Sequence, residues 1–153
     1  MKLTQKESGL IKDLAAQEKV CIEKYEFYAE QAKDPQLKKL FGQIGSQETQ
    51  HYQSLSDVLT GKVPAASSTK RSAAQSYKPK ASYTANGKSA AKKQDAFLCT
   101  DSITTEKYVS SAYDTDLFQF SSPAVRGLLN SIQTEEQHHA EMIYEYKTAN
   151  GMA

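Results

Sequence analysis

From Leu37 to Leu55 the chain repeats inward-facing positions in steps of four and three: Leu37, Phe41, Ile44, Glu48, His51, Leu55. That is the spacing of one buried helix face. Two of the six positions are polar, so this stripe carries an acid and an imidazole into a place reserved for apolar side chains. Around it the pattern predicts a helix pair. The first helix runs from about Thr4 to Lys33 and breaks at "KDPQ"; the second continues to about Leu59, with Asp34 as N-cap and Pro35 at the first helical position. A second pair follows the same plan, from about Phe97 to Phe120, a break at "SSPA" with Ser122 and Pro123 in the same two roles, then on to about Ala149. Asn150 and Gly151 supply a stop. No strand pattern interrupts this, and the fold class read from it is all-α, a four-helix bundle made of two helix pairs.

The two halves form an internal repeat at an offset of 88 residues. Pro35 falls on Pro123, Tyr25 on Tyr113, Leu40 on Leu128 and Ile44 on Ile132. Glu48 falls on Glu136 and His51 on His139, within the second-half stripe Val125, Leu129, Ile132, Glu136, His139, Ile143. On the first helix of each pair Glu18 falls on Glu106, in the stripes Ile11, Leu14, Glu18, Cys21, Tyr25 and Ile103, Glu106, Val109, Tyr113. One rule of symmetry therefore turns all six polar side chains inward. "TEEQHHAE" holds a second pair, Glu135 and His138, one residue out of the stripe, and these are read as flanking or exposed.

Charge divides the chain differently. The 153 residues carry a formal charge of +1, which argues against a bulk nucleic-acid binder. Eight of the 19 Lys and Arg lie in residues 61–94, which have no acid; the rest of the chain sets eleven basic against 18 acidic side chains. The stretch predicts a basic, solvated linker that lies along the acidic body, reaches an acidic partner, or serves as a spacer. The chain is thus read as one domain over 1–153: a helix pair over 4–60, a flexible linker over 61–95 and a helix pair over 96–149. About 35 residues are long enough to return along a helix of roughly 25 residues, so the linker permits a crossover. No apolar run reaches the roughly 18 residues of a membrane span, and the charged N-terminal stretch predicts synthesis and retention inside a cell. Cys21 and Cys99 form no C-x-x-C and are expected to be reduced, apolar fillers.

Buried charge demands a partner. Residues three apart on a helix share a face, so each Glu-x-x-His can reach one ion with both side chains. A Glu from each of two helices plus Glu-x-x-His from each of the other two is the bundle ligand set for two iron or manganese ions. Glu18, Glu48, His51, Glu106, Glu136 and His139 complete that set, and iron and manganese use the same ligand types. The alternative for the same residues is a degenerate site whose carboxylates share protons. Tyr25 and Tyr113 stand seven residues beyond Glu18 and Glu106, about 10 Å along the axis. They are read as core residues with hydrogen-bonded hydroxyls. Tyr77 and Tyr83 in the linker are candidate cross-linking points.

The order Glu18, Glu48-x-x-His51, Glu106, Glu136-x-x-His139, with 29 residues between the glutamates of each half, resembles the ferritin-like superfamily of bacterioferritins, rubrerythrins and manganese catalases. By that resemblance Glu48 and Glu136 bridge the metals, Glu18 and His51 complete one shell, and Glu106 and His139 the other. The segments "LTQKESGLIKDL", "CIEKYEFYAEQAKDPQLKKLF", "LCTDSITTEKYVSSAYDTDLFQF" and "IQTEEQHHAEMIYEYKTANGM" are similar to the spore coat F-like proteins of spore-forming Firmicutes. This implies a ferritin-like bundle, a place in the spore coat and other coat proteins as partners, with a homo-oligomer as one form of assembly.

The two levels of resemblance imply different activities. One is a coat component holding a di-metal centre. The second is a soluble di-metal oxidoreductase acting on peroxide, oxygen or Fe(II), although no rubredoxin-type C-x-x-C module accompanies it. A purely structural coat protein with a degenerate site is the third.

Overall fold

The computed structural model describes residues 1–66 and 73–153. Among them the regular structure is all helical: α1 (Gln5–Gln31), α2 (Pro35–Leu59), the single turn α3 (Ala73–Ser76), α4 (Ala90–Asp116), a 3-10 turn (Leu117–Gln119) and α5 (Pro123–Ala149). Residues 67–72 of the expected linker lie outside the described residues.

Local chemistry fixes the ends of the long helices. Thr4 opens α1 with a reciprocal capping box: its hydroxyl accepts from Glu7 N at 3.1 Å, and the Glu7 carboxylate accepts from Thr4 N at 2.8 Å. Asp34 accepts from Gln36 N at 3.0 Å and Ser122 from Val125 N at 3.3 Å, each ahead of a proline that needs no donor at that position. Gly151 follows α5 with φ +65°, where an added Cβ would stand 2.5 Å from the Ala85 carbonyl oxygen. Only glycine accepts both the angle and the approach.

Hydrogen bonds between helix ends set the helix directions. Lys33 N and Asp34 N, at the close of α1, donate to Asp95 near the start of α4 at 2.8 and 2.9 Å, while Ser121 N, beyond the end of α4, donates to Glu7 at 3.2 Å. Helices α1 and α4 are therefore antiparallel. The Tyr146 hydroxyl, late in α5, donates to Asp34 at the start of α2 at 2.6 Å, so α2 and α5 are antiparallel too. Helix α2 ends at the opposite end of the bundle from where α4 begins, and the intervening chain joins the two ends.

Two expectations need correction. Helix α4 begins at Ala90, not near residue 97, because Ser89 caps it by accepting from Lys92 N at 3.1 Å. Lys92 is buried despite its charge, its ammonium donating to the carbonyls of Thr84 and Ala85 at 2.8 and 2.7 Å. The described part of the connection is also no free spacer. Gln36 exchanges side-chain bonds with the backbone of Lys80, and Asn150 Oδ1 accepts from Ser82 N and Tyr83 N at 2.7 and 3.0 Å. Tyr83 donates to Asp95 at 2.7 Å, and Tyr77 packs half-buried against the core, so neither hydroxyl stands free for cross-linking as expected.

Asp95 is fully buried and accepts from three donors. Asp95→Ala is expected to destabilise the fold by about 3 kcal/mol or more, since it leaves those donors without a partner. Urea unfolding of the variant measures it.

The apolar core has two parts. One gathers Ile11, Leu14, Leu55, Val58, Val109, Val125 and Leu129; the other gathers Tyr25, Leu37, Phe41, Ile44, Leu98, Ile143 and Tyr146. On α2, α4 and α5 a gap separates the two sets along the helix, and that gap holds Glu48 and His51, Glu106, and Glu136 and His139. Glu18 sits between Ala15 and Cys21 on α1. A polar layer thus crosses the bundle between two apolar cores. Both cysteines are buried and unpaired, as expected.

Candidate metal centre

All six residues singled out in the sequence meet in that layer. Their ligand atoms form two groups, Glu18, Glu48, His51 and Glu136, and Glu48, Glu106, Glu136 and His139, each with its atoms within 4.8 Å of one another. Glu48 and Glu136 belong to both groups. Each is wholly buried, as is Glu18; His51, Glu106 and His139 are all but buried.

The imidazoles reach across the bundle. His51 Nδ1 lies 2.9 Å from Glu136 Oε1, with Glu48 at 3.5 Å and Glu18 at 3.7 Å. His139 Nδ1 lies 2.8 Å from Glu48 Oε1, with Glu106 at 3.5 Å and Glu136 at 3.8 Å. The two rings stack with centroids 5.9 Å apart. The Nδ1 of each histidine thus sits closest to the Glu of the opposite Glu-x-x-His.

Tyrosines hold the outer carboxylates. The Tyr25 hydroxyl donates to Glu106 and the Tyr113 hydroxyl to Glu18, so a tyrosine of each helix pair binds the glutamate of the other. The expected hydrogen-bonded hydroxyls are present. Their partners were not foreseeable from spacing along one helix, because they arise where antiparallel α1 and α4 face each other.

Of the two expected roles, Glu135 takes the flanking one: it is half-buried beside the cluster. Its carboxylate meets His51 Nε2, the ring nitrogen turned away from the cluster, and accepts from Gln47 Nε2 at 2.7 Å. A carboxylate on the outer nitrogen fixes the ring's orientation and directs Nδ1 inward. The sequence signal was an acid directly before a stripe glutamate, but its target lies on another helix. His138 joins neither group.

Electrostatics show what the layer lacks. Burial, then the neighbouring Glu48, pushes the Glu18 carboxyl up to about 8 against a weaker pull from His51. Burial and the charge of Glu106 raise Glu136 well above the usual carboxylate range. For Glu48 burial works upward too, but the neighbouring Glu18, His139 and His51 outweigh it and hold the group well below that range. Burial works to lower both histidines; the surrounding carboxylates outweigh it and hold them well above the usual imidazole value. Without a cation the cluster therefore retains protons that free side chains would have released.

Hydrogen bonding remains incomplete even so. Both oxygens of Glu48 and of Glu136, one oxygen each of Glu18 and Glu106, and Nδ1 of both histidines are buried without a hydrogen-bond partner. Native interiors leave few such atoms, and here they converge on one place. Carboxylate oxygens and imidazole nitrogens are the donor set of iron and manganese, so these residues fit a buried metal site. Cys21 adjoins the layer, but burial and the surrounding carboxylates push its thiol up, away from the thiolate a metal would need.

Among the described residues no helix is long and apolar enough to cross a membrane. Comparison with curated proteins and with solved structures gave no match. Residues 94–153 match the family model of the Coat F domain, a span that takes in most of α4 and all of α5, with Glu106, Glu136 and His139.

Proposed function

We propose that this chain is a spore coat protein built as one ferritin-like domain over 1–153, whose bundle buries a carboxylate-bridged pair of iron or manganese ions. The Coat F match indicates the spore coat as its location and fits other coat proteins as partners. The observation that carries the metal reading is the set of unpartnered oxygens and nitrogens facing one another in a layer between two apolar cores. The offset of 88 residues and the antiparallel arrangement of α1 with α4 and α2 with α5 support the ferritin-like assignment.

In this reading Glu48 and Glu136 lie between two metal positions. Glu18 and His51 hold one, and Glu106 and His139 the other. Tyr25 and Tyr113 keep the terminal carboxylates oriented, and Glu135 keeps the His51 ring in place. A bound iron or manganese pair supplies Lewis acidity and, with an exchangeable position, redox chemistry toward oxygen or peroxide. The residues themselves exclude bulk water and hold the negative charge that balances the ions.

Loading must displace the protons the cluster retains. Glu18, its carboxyl pushed up to about 8, holds one at pH 7, and the upward shifts of Glu136, His51 and His139 favour their protonated forms. Calorimetric titration of the metal-free protein with Mn(II), in two buffers of different ionisation enthalpy, is expected to show release of about one proton or more per chain at saturation. Binding at exposed carboxylates instead would release close to none.

A further inference from the structure

A cleft of about 500 Å³ lies between α4 and α5, with exposed Lys107, Asp114 and Gln137 at its mouth and buried Ser110 deeper in. Its lining includes Glu106 and Glu136, whose unpartnered buried oxygens belong to the cluster. The positions 88 residues earlier differ in a way that matters. Where the cleft has Ser110 and Ala140, the α1–α2 side has Ile22 and Tyr52, and Tyr52 packs against the apolar core. Nearer the surface the exchange is reversed: Gln133 and Gln137 stand where α2 has Gly45 and Thr49. At these matching positions the α1–α2 side thus carries a branched aliphatic chain and a phenol ring. The other is hollow at its base and lined with amide, hydroxyl and charged groups.

We infer that a small polar solute, in the first place the hydrated divalent cation, reaches the buried cluster through the α4–α5 cleft, past Ser110 and Ala140, and not between α1 and α2. A hydrated cation sheds water in steps, and each lost water must be replaced by a protein oxygen. The amides of Gln133 and Gln137, the Ser110 hydroxyl and then the Glu106 and Glu136 carboxylates provide such oxygens in order of depth. On the α1–α2 side the position matching Ser110 is Ile22, which offers no such oxygen. The consequence is an unequal pair of positions, the one at Glu106 and His139 filling first and exchanging faster. This inference rests on the metal reading proposed above.

The test is the rate of Co(II) uptake by the metal-free full chain, followed by the visible absorption of the bound ion. Ser110→Ile with Ala140→Tyr gives the cleft the side chains of the other face, and is expected to slow uptake at least tenfold while leaving the final stoichiometry unchanged. Gln137→Trp, at an exposed position that does not disturb the core, is expected to slow it severalfold, and serves if the double variant does not fold. Ile22→Ser with Tyr52→Ala gives the α1–α2 side the small side chains of the cleft and is expected to leave uptake at least as fast as the parent's. Uptake at the parent rate in Gln137→Trp and in a folded double variant would overturn the route alone. Failure of the parent protein to take up Co(II) would overturn the metal reading and the route with it.

Discussion

Raising the pH from 6.5 to 8 is expected to destabilise the metal-free protein and to stabilise the metal-loaded one. The sign follows from which state holds more protons. In the unfolded chain glutamates ionise near 4.5 and histidines near 6.5. In the folded, metal-free chain Glu18 keeps its proton to about 8, and Glu136, His51 and His139 keep theirs well above their ordinary values. Throughout that window the folded state therefore binds more protons, and stability falls as pH rises, by about 1.4 kcal/mol per pH unit for each extra proton. The lowered Glu48 contributes stability that is lost only at acid pH, outside the window. A Tm lower by roughly 5 °C or more at pH 8 than at pH 6.5 is the expected size. With metal bound the same groups are deprotonated ligands, affinity rises with pH, and the slope changes sign. Thermal unfolding of both forms at the two pH values checks it; parallel slopes would mean that the protons and the metal do not share these residues.

The second large effect is expected from Glu18→Gln, again with opposite signs in the two forms. Burial is what holds the Glu18 carboxyl in its protonated form, and above 4.5 that proton has to be taken up on folding. Gln is a neutral isostere of the protonated acid and still accepts from Tyr113. The metal-free variant is expected to gain on the order of 3 kcal/mol at pH 7. The metal-loaded variant loses an anionic ligand from the position shared with His51. Urea unfolding with and without Mn(II) reads both signs: the variant more stable than its parent without metal, and less stable with it. A layer that never binds metal would show the first effect only.

Much of this was legible in the residues themselves. Asp34–Pro35 and Ser122–Pro123 mark the starts of α2 and α5 because a side-chain acceptor followed by a residue without an N–H has little other use. Glu48 and His51 were conspicuous because they occupy positions that the spacing of Leu37, Phe41 and Ile44 assigns to the interior. What the sequence hid depends on contacts between distant segments. The first turns of α4 look like linker, since Lys92 gains its burial only from the carbonyls of Thr84 and Ala85 that the fold brings to it. Asp95 likewise gathers donors from the α1–α2 turn and from Tyr83. Glu135 lies outside its own helix's stripe and acquires a role only because α2 brings His51 against it. Tyr25 and Tyr113 declared a polar end in a core stripe, but which carboxylate each would meet required the relative direction of α1 and α4.

The six-residue layer is expected to hold metal. Elemental analysis of the full chain, produced with iron and manganese both supplied, measures this beside the Glu48→Ala and Glu136→Ala variants. The expected result is about two equivalents of metal per chain in the parent and almost none in either variant, since each of these glutamates serves both positions. No bound metal after anaerobic reconstitution with Fe(II) or Mn(II), or metal retained in both variants, would contradict it.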